Sequence, residues 1–390
     1  MTGWHVLREE MVARVRTRGI SQVVADAFLA VPRHVFLPEL PAQAVYQDDA
    51  IVTKRDADGF PISSSSQPAI MALMLDQLGL EPGQRVLEIG TGTGYNAALL
   101  AHLVGPEGEV VSVDIDPDLV ALAGEHLLAA GHPEVRLVCG DGSEGFPPEA
   151  PYDRVIATVG VWDLAPAWLE QLGPGGRLVA PLDLRGVQRS VAMERDNGHW
   201  RSRSVLPCGF MRMRGPFAGP ETALMLDRES DLTISLPEAG EIGDVLGALD
   251  GPVVERSTEI SVSLPQLLDG LSLWLAVHEP RWCTISEARP GWLASPPLDT
   301  TGFRMAVGIV EGDNLCLLEP SPDGTLIARG HGPDRVRLAR EMVAHIQAWD
   351  MADRPMTTGL HIDAYRGDPP PGGLLLRKRH TTLALSWRDS

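Results

Sequence analysis

Between residues 68 and 182 the hydrophobic pattern changes period at short, regular intervals. "PAIMALMLDQLGL" predicts an apolar helix and "RVLEIG" a short buried strand. "YNAALLAHLVG" predicts a helix stopped by Gly105 and Pro106. "EVVSVDI" predicts a strand, and "PDLVALAGEHLLAAG" a helix with proline in its first turn. "VRLVCGDG" and "YDRVIATVG" predict strands, "PAWLEQLG" a helix and "GRLVAPL" a strand. Strands alternating with helices imply an α/β fold, a doubly wound and mostly parallel sheet with helices on both faces. Upstream, residues 6–18 and 21–30 predict two helices. The prolines of "VPRHVFLPEL" end the second, because proline lacks an N–H and restricts the residue before it. An Asp-rich loop then leads into "GFPISSSSQPAIMA". Downstream, "QRSVAMERDNGHWRSRSVLP" predicts a hairpin with Asn-Gly at its turn.

Past residue 215 the pattern shifts again. Clustered Pro and Gly ("RGPFAGPE") mark a boundary, and the expected domains are 1–215 and 216–390. The second mixes short strands ("DLTISLP", "EISVSLP", "LCLLEP", "TLIARG") with amphipathic helices around 265–277 and 333–350, which predicts an α+β domain. It closes on two alternating stretches, "GLHIDAYRG" and "HTTLALSW". His361 and Asp363 lie in the first as a His-x-Asp pair with no further ligands nearby, an ordinary strand pair by this reading, and no metal site is expected.

Composition narrows the class. The chain has 390 residues, 44% hydrophobic, enough for two globular domains. Its net charge of -19 disfavours nucleic acid and anionic membranes as partners. The basic cluster "LLLRKRH" reads as the solvated end of a strand. Cys139, Cys208, Cys283 and Cys316 form no CxxC spacing and fit a reducing cytoplasm. "MTGWHVLREEMVARV" lacks the apolar core of a signal peptide, and no apolar run is long enough to span a bilayer. A soluble cytoplasmic protein is expected.

Chemistry concentrates in "VLEIGTGTGYNAALLA", at a strand-to-helix turn. Gly90, Gly92 and Gly94 allow a tight turn and close approach to a ligand. A glycine-rich turn alone can serve NAD, a flavin or a nucleoside. Three acids narrow it. Glu88, two residues before Gly90, would repel a pyrophosphate but welcome a cationic amino group. Asp114 ends the next strand, at the spacing from which an acid meets ribose hydroxyls. In "CGDG", Asp141 can accept from an exocyclic adenine amine while Gly142 leaves room for the ring. Thr91 and Ile115 complete the candidate set. The ordered combination predicts a class I, Rossmann-like S-adenosylmethionine site.

These motifs resemble the protein-L-isoaspartate O-methyltransferases over about the first 215 residues. "VPRHVFLPE" is similar to the family's N-terminal helix-ending segment and "AVYQDDAI" to its Tyr-x-Asp stretch. "VLEIGTGTGY" is similar to its first motif, and "GDGSEGF" to its Gly-Asp-Gly-x-x-Gly. "YDRVIATVG" followed by "LEQLGPGGRLVAPL" resembles its later strand, helix and strand. The resemblance implies that "SSSQP" replaces the family's Thr-Ile-Ser-x-Pro substrate loop, with Ser66 at the active-site serine, Ser64 at the threonine and Ser65 at the isoleucine. These three are the catalytic candidates. A carboxylate acceptor is already ionised near neutral pH, so a hydroxyl that orients it suffices and no base is needed.

Three departures stand out. Ser65 replaces isoleucine, Trp162 in "TVGVWDLAPAW" stands where a proline falls, and about 175 residues follow the core. The first two are expected to alter the substrate pocket, and the third to dock a particular partner. Enlarged relatives with this serine-rich loop resemble methyltransferases of ribosomally made lanthipeptides, lasso peptides and graspetides. The implied reaction is methylation of an aspartate side chain, whose ester closes to aspartimide and can open to isoaspartate. The alternative is repair of isoaspartate in damaged proteins. Either way the partner is a peptide or protein bearing the target Asp or isoAsp.

Overall fold

The computed structural model describes residues 3–57, 59–300, 303–370 and 372–387. The chain forms two compact units. The first comprises Met1–Leu182, Gln188–Gly219 and His361–Ala384; the second comprises Asp183–Val187, Pro220–Leu360 and Leu385–Ser390.

The first unit opens with helices α1 (Trp4–Arg16) and α2 (Gln22–Ala30), a 3-10 turn at Arg33–Phe36 and the short α3 (Ala42–Val45). Strands β1 (Ile51–Arg55) and β2 (Pro61–Ser65) pair antiparallel, with Ile51 opposite Ser65 and Val52 opposite Ser64. The alternation follows as α4 (Pro68–Leu78), β3 (Arg85–Ile89), α5 (Tyr95–Val104), β4 (Glu109–Asp114), α6 (Pro117–Ala130), β5 (Arg136–Cys139), β6 (Tyr152–Ala157), α7 (Pro166–Gln171) and β7 (Leu172–Asp183). Local chemistry sets the ends. Pro68 and Pro117 open α4 and α6, where a missing N–H costs nothing, and Asp116 caps α6 by accepting from Asp118 N–H. Gly79 and Gly131 end them in the left-handed conformation.

Strands β3 to β7 pair in parallel in the order β7-β6-β3-β4-β5. The order reverses at β3, which opens a crevice beyond its C-terminal end, the general ligand position in such sheets. Leu87 and Ile89 on β3, Val111 and Val113 on β4, and Val155 and Ile156 on β6 are buried, as a sheet covered on both faces requires. The predicted hairpin is β8 (Gln188–Asp196) and β9 (His199–Pro207), turning at Asn197-Gly198 with positive φ at both residues.

The second unit carries β10 (Thr222–Asp227), β11 (Leu232–Leu236), α8 (Val245–Asp250), β12 (Val254–Ser261), α9 (Ser272–His278), β13 (Trp282–Glu287), β14 (Leu298–Thr300), β15 (Phe303–Glu311), β16 (Asn314–Pro320), β17 (Thr325–His331) and α10 (Arg335–Met351). Its antiparallel sheet runs β10-β11-β13-β15-β16-β17-β12, with β14 on β15. Alternate residues of β16 face two cores. Cys316 and Leu318 pack with Leu338, Met342 and Trp349 of α10, whereas Leu315 and Leu317 pack with Ile234 and Ile285. The expected α+β character is present.

The second unit resumes at Pro220 and keeps only Leu385–Ser390 of the C-terminal stretch. Strands β18 (Leu360–Tyr365), β19 (Leu374–Arg377) and β20 (Thr382–Trp387) extend the first sheet beyond β9, making it ten-stranded in the order β19-β20-β18-β9-β8-β7-β6-β3-β4-β5. His361–Ala384 therefore belongs to the first unit. No helix among the described residues is long and apolar enough to cross a membrane.

Candidate active site

The crevice beyond β3 is a cleft enclosing about 890 Å3 of non-atom space, counted out to open solvent. The turn after β3 forms one wall. Gly90 N–H donates to Val113 O at 2.8 Å, and Gly90 has φ +101°. A Cβ there would meet Thr158 Oγ1 at 2.8 Å and Val159 Cγ1 at 2.9 Å, so the position needs glycine twice over. Gly92 N–H donates to Asp114 Oδ2 at 3.0 Å, and the other oxygen, Oδ1, accepts from Asp116 N–H at 3.0 Å. Asp114 thus caps its own turn and still lines the cleft. Thr91, Ile115 and Gly142 line it too. A side chain at Gly142 would sit 2.6 Å from Ile89 Cγ2, so this floor must also stay bare.

Three predicted residues stand elsewhere. Glu88 is completely buried and does not line the cleft. Its Oε1 accepts from Asn96 Nδ2 at 2.7 Å and its Oε2 from Ser112 Oγ at 2.6 Å. Ser112 in turn bonds Thr91 Oγ1 at 2.7 Å. Glu88 therefore braces two cleft residues, Asn96 and Thr91, from beneath. Burial, with a smaller push from Asp114, raises its carboxyl to about 7. Gly94 sits behind the cleft wall at the start of α5 with φ +86°. Asp141 caps a 3-10 turn by accepting from Ser143 N–H at 2.9 Å and is not among the lining residues.

The serine run forms the opposite wall. Ser63–Ser65 lie in strand β2 rather than the expected loop, paired with Ile51–Lys54, and Ser66 follows the strand. Strand alternation sorts the hydroxyls. Ser63 and Ser65 are buried, while Ser64 and Ser66 are half-exposed. Ser63 Oγ accepts from Thr53 Oγ1 at 3.1 Å, and Ser65 Oγ from Arg33 Nη2 at 3.3 Å. All four serines line the cleft, and among the described residues the Ser64 and Ser66 hydroxyls have no protein partner. Lys54 ties the hairpin down, placing Nζ 2.8 Å from both oxygens of Asp116 and 2.9 Å from Asp118.

Sequence reading missed a third wall. Phe210–Arg214 crosses the cleft, held by Gly160, whose N–H donates to Met211 O and whose carbonyl accepts from Met213 N–H, each at 2.8 Å. Arg212 and Arg214 bring positive charge to a strongly acidic chain. The signal was present as "FMRMR", two arginines spaced by methionines just before the predicted boundary. Arg33 was also missed as a functional candidate, although "VPRHVF" was singled out. Trp162 does not line the cleft; Lys378 Nζ lies 5.0 Å from its ring.

The model of the protein-L-isoaspartate(D-aspartate) O-methyltransferase family matches residues 6–215. The chain belongs to that family. It is accordingly an S-adenosylmethionine-dependent carboxyl O-methyltransferase. The protein-L-isoaspartate O-methyltransferase of Methanopyrus kandleri is 38% identical over 221 residues, which are 55% of this chain and 95% of the relative. The one from Thermotoga maritima is 41% identical over 187 residues, 48% of this chain but 58% of the relative, so that family member also extends well beyond the match. A solved structure named protein-L-isoaspartate O-methyltransferase is 25% identical, with a TM-score of 0.52, and covers 91% of this chain and 96% of its own. Length beyond the core therefore does not separate this chain from family members bearing that name, contrary to the reading of the added residues as a departure from the family.

Proposed function

We propose that the chain methylates the α-carboxylate of isoaspartyl residues in peptides or proteins. The observation that carries this reading is the shared cleft. Ser64 and Ser66, both half-exposed, line the same cleft as the Gly90–Gly92 turn and Asp114, in a chain whose relatives carry isoaspartate methylation in their names. The bare floor at Gly90 and Gly142 and the acid at Asp114 fit a nucleoside, because each Asp114 oxygen keeps a lone pair for a ribose hydroxyl after its backbone bond. In this assignment Gly90, Thr91, Gly92, Asp114, Ile115 and Gly142 hold the cofactor, and Glu88, Gly94 and Asp141 shape the turns around it.

S-adenosylmethionine, when bound, supplies an electrophilic methyl group on a sulfonium. The protein's part is positioning. Ser66 and Ser64 donate hydrogen bonds that orient an acceptor carboxylate already ionised at neutral pH. Ile62, Met71 and Phe210 line the cleft with apolar surface and limit water. A dry site suits a reaction in which opposite charges annihilate. The free thiols of Cys139, Cys208, Cys283 and Cys316 support a reducing, cytoplasmic setting, and the net charge of -19 speaks against nucleic-acid or membrane partners.

A second reading is methylation of a chosen aspartate side chain in a ribosomally made peptide, with closure to aspartimide. It draws on the 220–360 unit as a docking surface for one partner and on the departures from the family loop. One assay separates the two. Purified enzyme is offered an isoaspartyl peptide and its aspartyl isomer, with methyl incorporation followed by mass spectrometry. Transfer to the isoaspartyl peptide with the aspartyl isomer inert is the expected result; the reverse preference overturns the first reading in favour of the second.

A further inference from the structure

Arg33 is fully buried, directly behind the serine strand. Its Nη1 donates to Gln47 O at 3.2 Å. Its Nη2 lies 3.3 Å from Asp49 O, 3.4 Å from Ser65 O, 3.3 Å from Ser65 Oγ and 3.0 Å from Ser66 O. Every one of these acceptors is neutral, and Nε has no partner at all. Among the described residues no carboxylate forms an ion pair with this guanidinium. The neighbouring Asp48 is already engaged, its Oδ1 by Ala69 N–H at 2.8 Å and its Oδ2 by Gln67 Nε2 at 3.2 Å. On its other side the guanidinium lies 5.9 Å from the ring of Tyr95, itself a cleft residue. Burial pulls its affinity for the proton below the ordinary arginine value.

The carboxylates of Asp48 and Asp49 act on this buried cation only through space, none of its direct hydrogen-bond partners is charged, and stapling two loops does not require a cation, because neutral donors can bond carbonyls. The charge has a use if an anion arrives. The peptide that Arg33 grips carries the Ser66 hydroxyl on the cleft, so the guanidinium lies immediately behind the place assigned to the acceptor. Its full burial leaves its charge weakly screened. We infer that Arg33 is the electrostatic positioning residue of the acceptor subsite, selecting a carboxylate over its neutral methyl ester and so favouring substrate over product. The inference rests on the proposed acceptor side. Because the carboxylate loses its charge during transfer, Arg33 stabilises the bound ground state. Its loss should raise KM and ease product inhibition without lowering kcat in proportion.

The test uses the full chain with S-adenosylhomocysteine bound, so that nothing turns over. Calorimetry compares an isoaspartyl peptide with its methyl ester. The wild type should bind the acid about tenfold or more tightly than the ester, and Arg33→Gln should reduce that preference to about threefold or less. Arg33→Lys keeps the charge and loses the planar fork, so it should retain the preference that Arg33→Gln loses. Equal binding of acid and ester by the wild type overturns the inference without any variant, as does an undiminished preference in Arg33→Gln. If Arg33→Gln does not fold, the lysine variant decides, and loss of its preference overturns the idea. A fold defect alone lowers both affinities together and leaves their ratio unchanged. Methylation of the isoaspartyl peptide is scored separately. If none occurs, the substrate reading fails, and the same comparison is made with the aspartyl peptide and its β-methyl ester.

Discussion

Ser63–Ser65 lie in strand β2 with Ser66 just beyond it, and neighbouring residues of a strand point to opposite faces. Here all four line the cleft; Ser63 and Ser65 are buried and bonded to Thr53 and Arg33, whereas Ser64 and Ser66 are half-exposed and their hydroxyls have no protein partner among the described residues. The resemblance to the family pointed to Ser64, Ser65 and Ser66 together; all three line the cleft, Ser65 also accepts from Arg33, and in the proposed assignment Ser64 and Ser66 orient the acceptor. Ser66→Ala should therefore lower turnover by about tenfold or more, through loss of a positioned hydrogen bond, with cofactor affinity nearly unchanged. Single-turnover methylation at the wild-type rate would remove Ser66 from the mechanism. Glu88 makes a different prediction. Its carboxyl is raised to about 7 in the fold, from an ordinary value near 4.5, chiefly by burial. The native state then holds a proton that the unfolded chain has released between those values. Glu88 therefore withdraws stability as pH rises from about 4.5 through 7, and the loss is complete above 7. Glu88→Gln should stabilise the apo-protein at pH 8 by on the order of 1–3 kcal/mol relative to wild type, and much less at pH 5. Thermal unfolding at the two pH values reads the difference; an equal shift at both would show that Glu88 is not the titrating group.

At the scale of elements, the α/β alternation was legible because each helix and strand repeats a strong period and ends on Gly or Pro, as at Gly79, Gly105 and Gly131. The β1–β2 hairpin was not. Serine is a poor strand former, and "SSSS" carries no apolar alternation, so the strand exists through its partner at Ile51–Arg55 and the Lys54–Asp116 tie. The wall at Phe210–Arg214 was hidden for a similar reason, since a two-residue bridge to Gly160 has no sequence period. The glycine turn was fully legible, and its geometry sharpens the expectation. Gly90→Ala places a Cβ at φ +101° and within 3 Å of Thr158 Oγ1 and Val159 Cγ1. It should cost about 1–3 kcal/mol of stability and close the turn to the cofactor. A variant that keeps its melting temperature and its affinity for S-adenosylhomocysteine would refute this account of the turn.

At the scale of the whole chain, composition and the Pro/Gly cluster located the end of the core, but not the destination of the last thirty residues. Alternation in "GLHIDAYRG" and "HTTLALSW" announces strands without saying which sheet receives them. The receiving contacts are specific. Ile362 N–H donates to Ser202 Oγ at 2.9 Å, and Asp363 bonds Arg201 Nε at 3.0 Å. Asp163, almost fully buried, accepts from His380 N–H and Thr381 Oγ1, each at 2.6 Å, and from Leu164 N–H at 2.8 Å. That aspartate lies five residues after Thr158 and three after Gly160, the residues that shape the cleft wall and hold Phe210–Arg214. Residues 361–384 are thus part of the methyltransferase unit, and a cut after the core would strip β9 of β18 and leave it paired on one side only, with β8. Deleting residues 361–390 while keeping 220–360 should therefore weaken cofactor binding about tenfold or more and expose the 158–163 segment to proteolysis, because an unpaired edge and the orphaned Asp163 carboxylate both destabilise the wall. Asp163→Ala in the full chain should produce a milder form of the same defect. Calorimetry with S-adenosylhomocysteine and limited proteolysis measure both effects. If the shortened chain binds the cofactor as tightly as the full one and resists protease equally, β18–β20 are dispensable to the site and the first unit ends at Gly219.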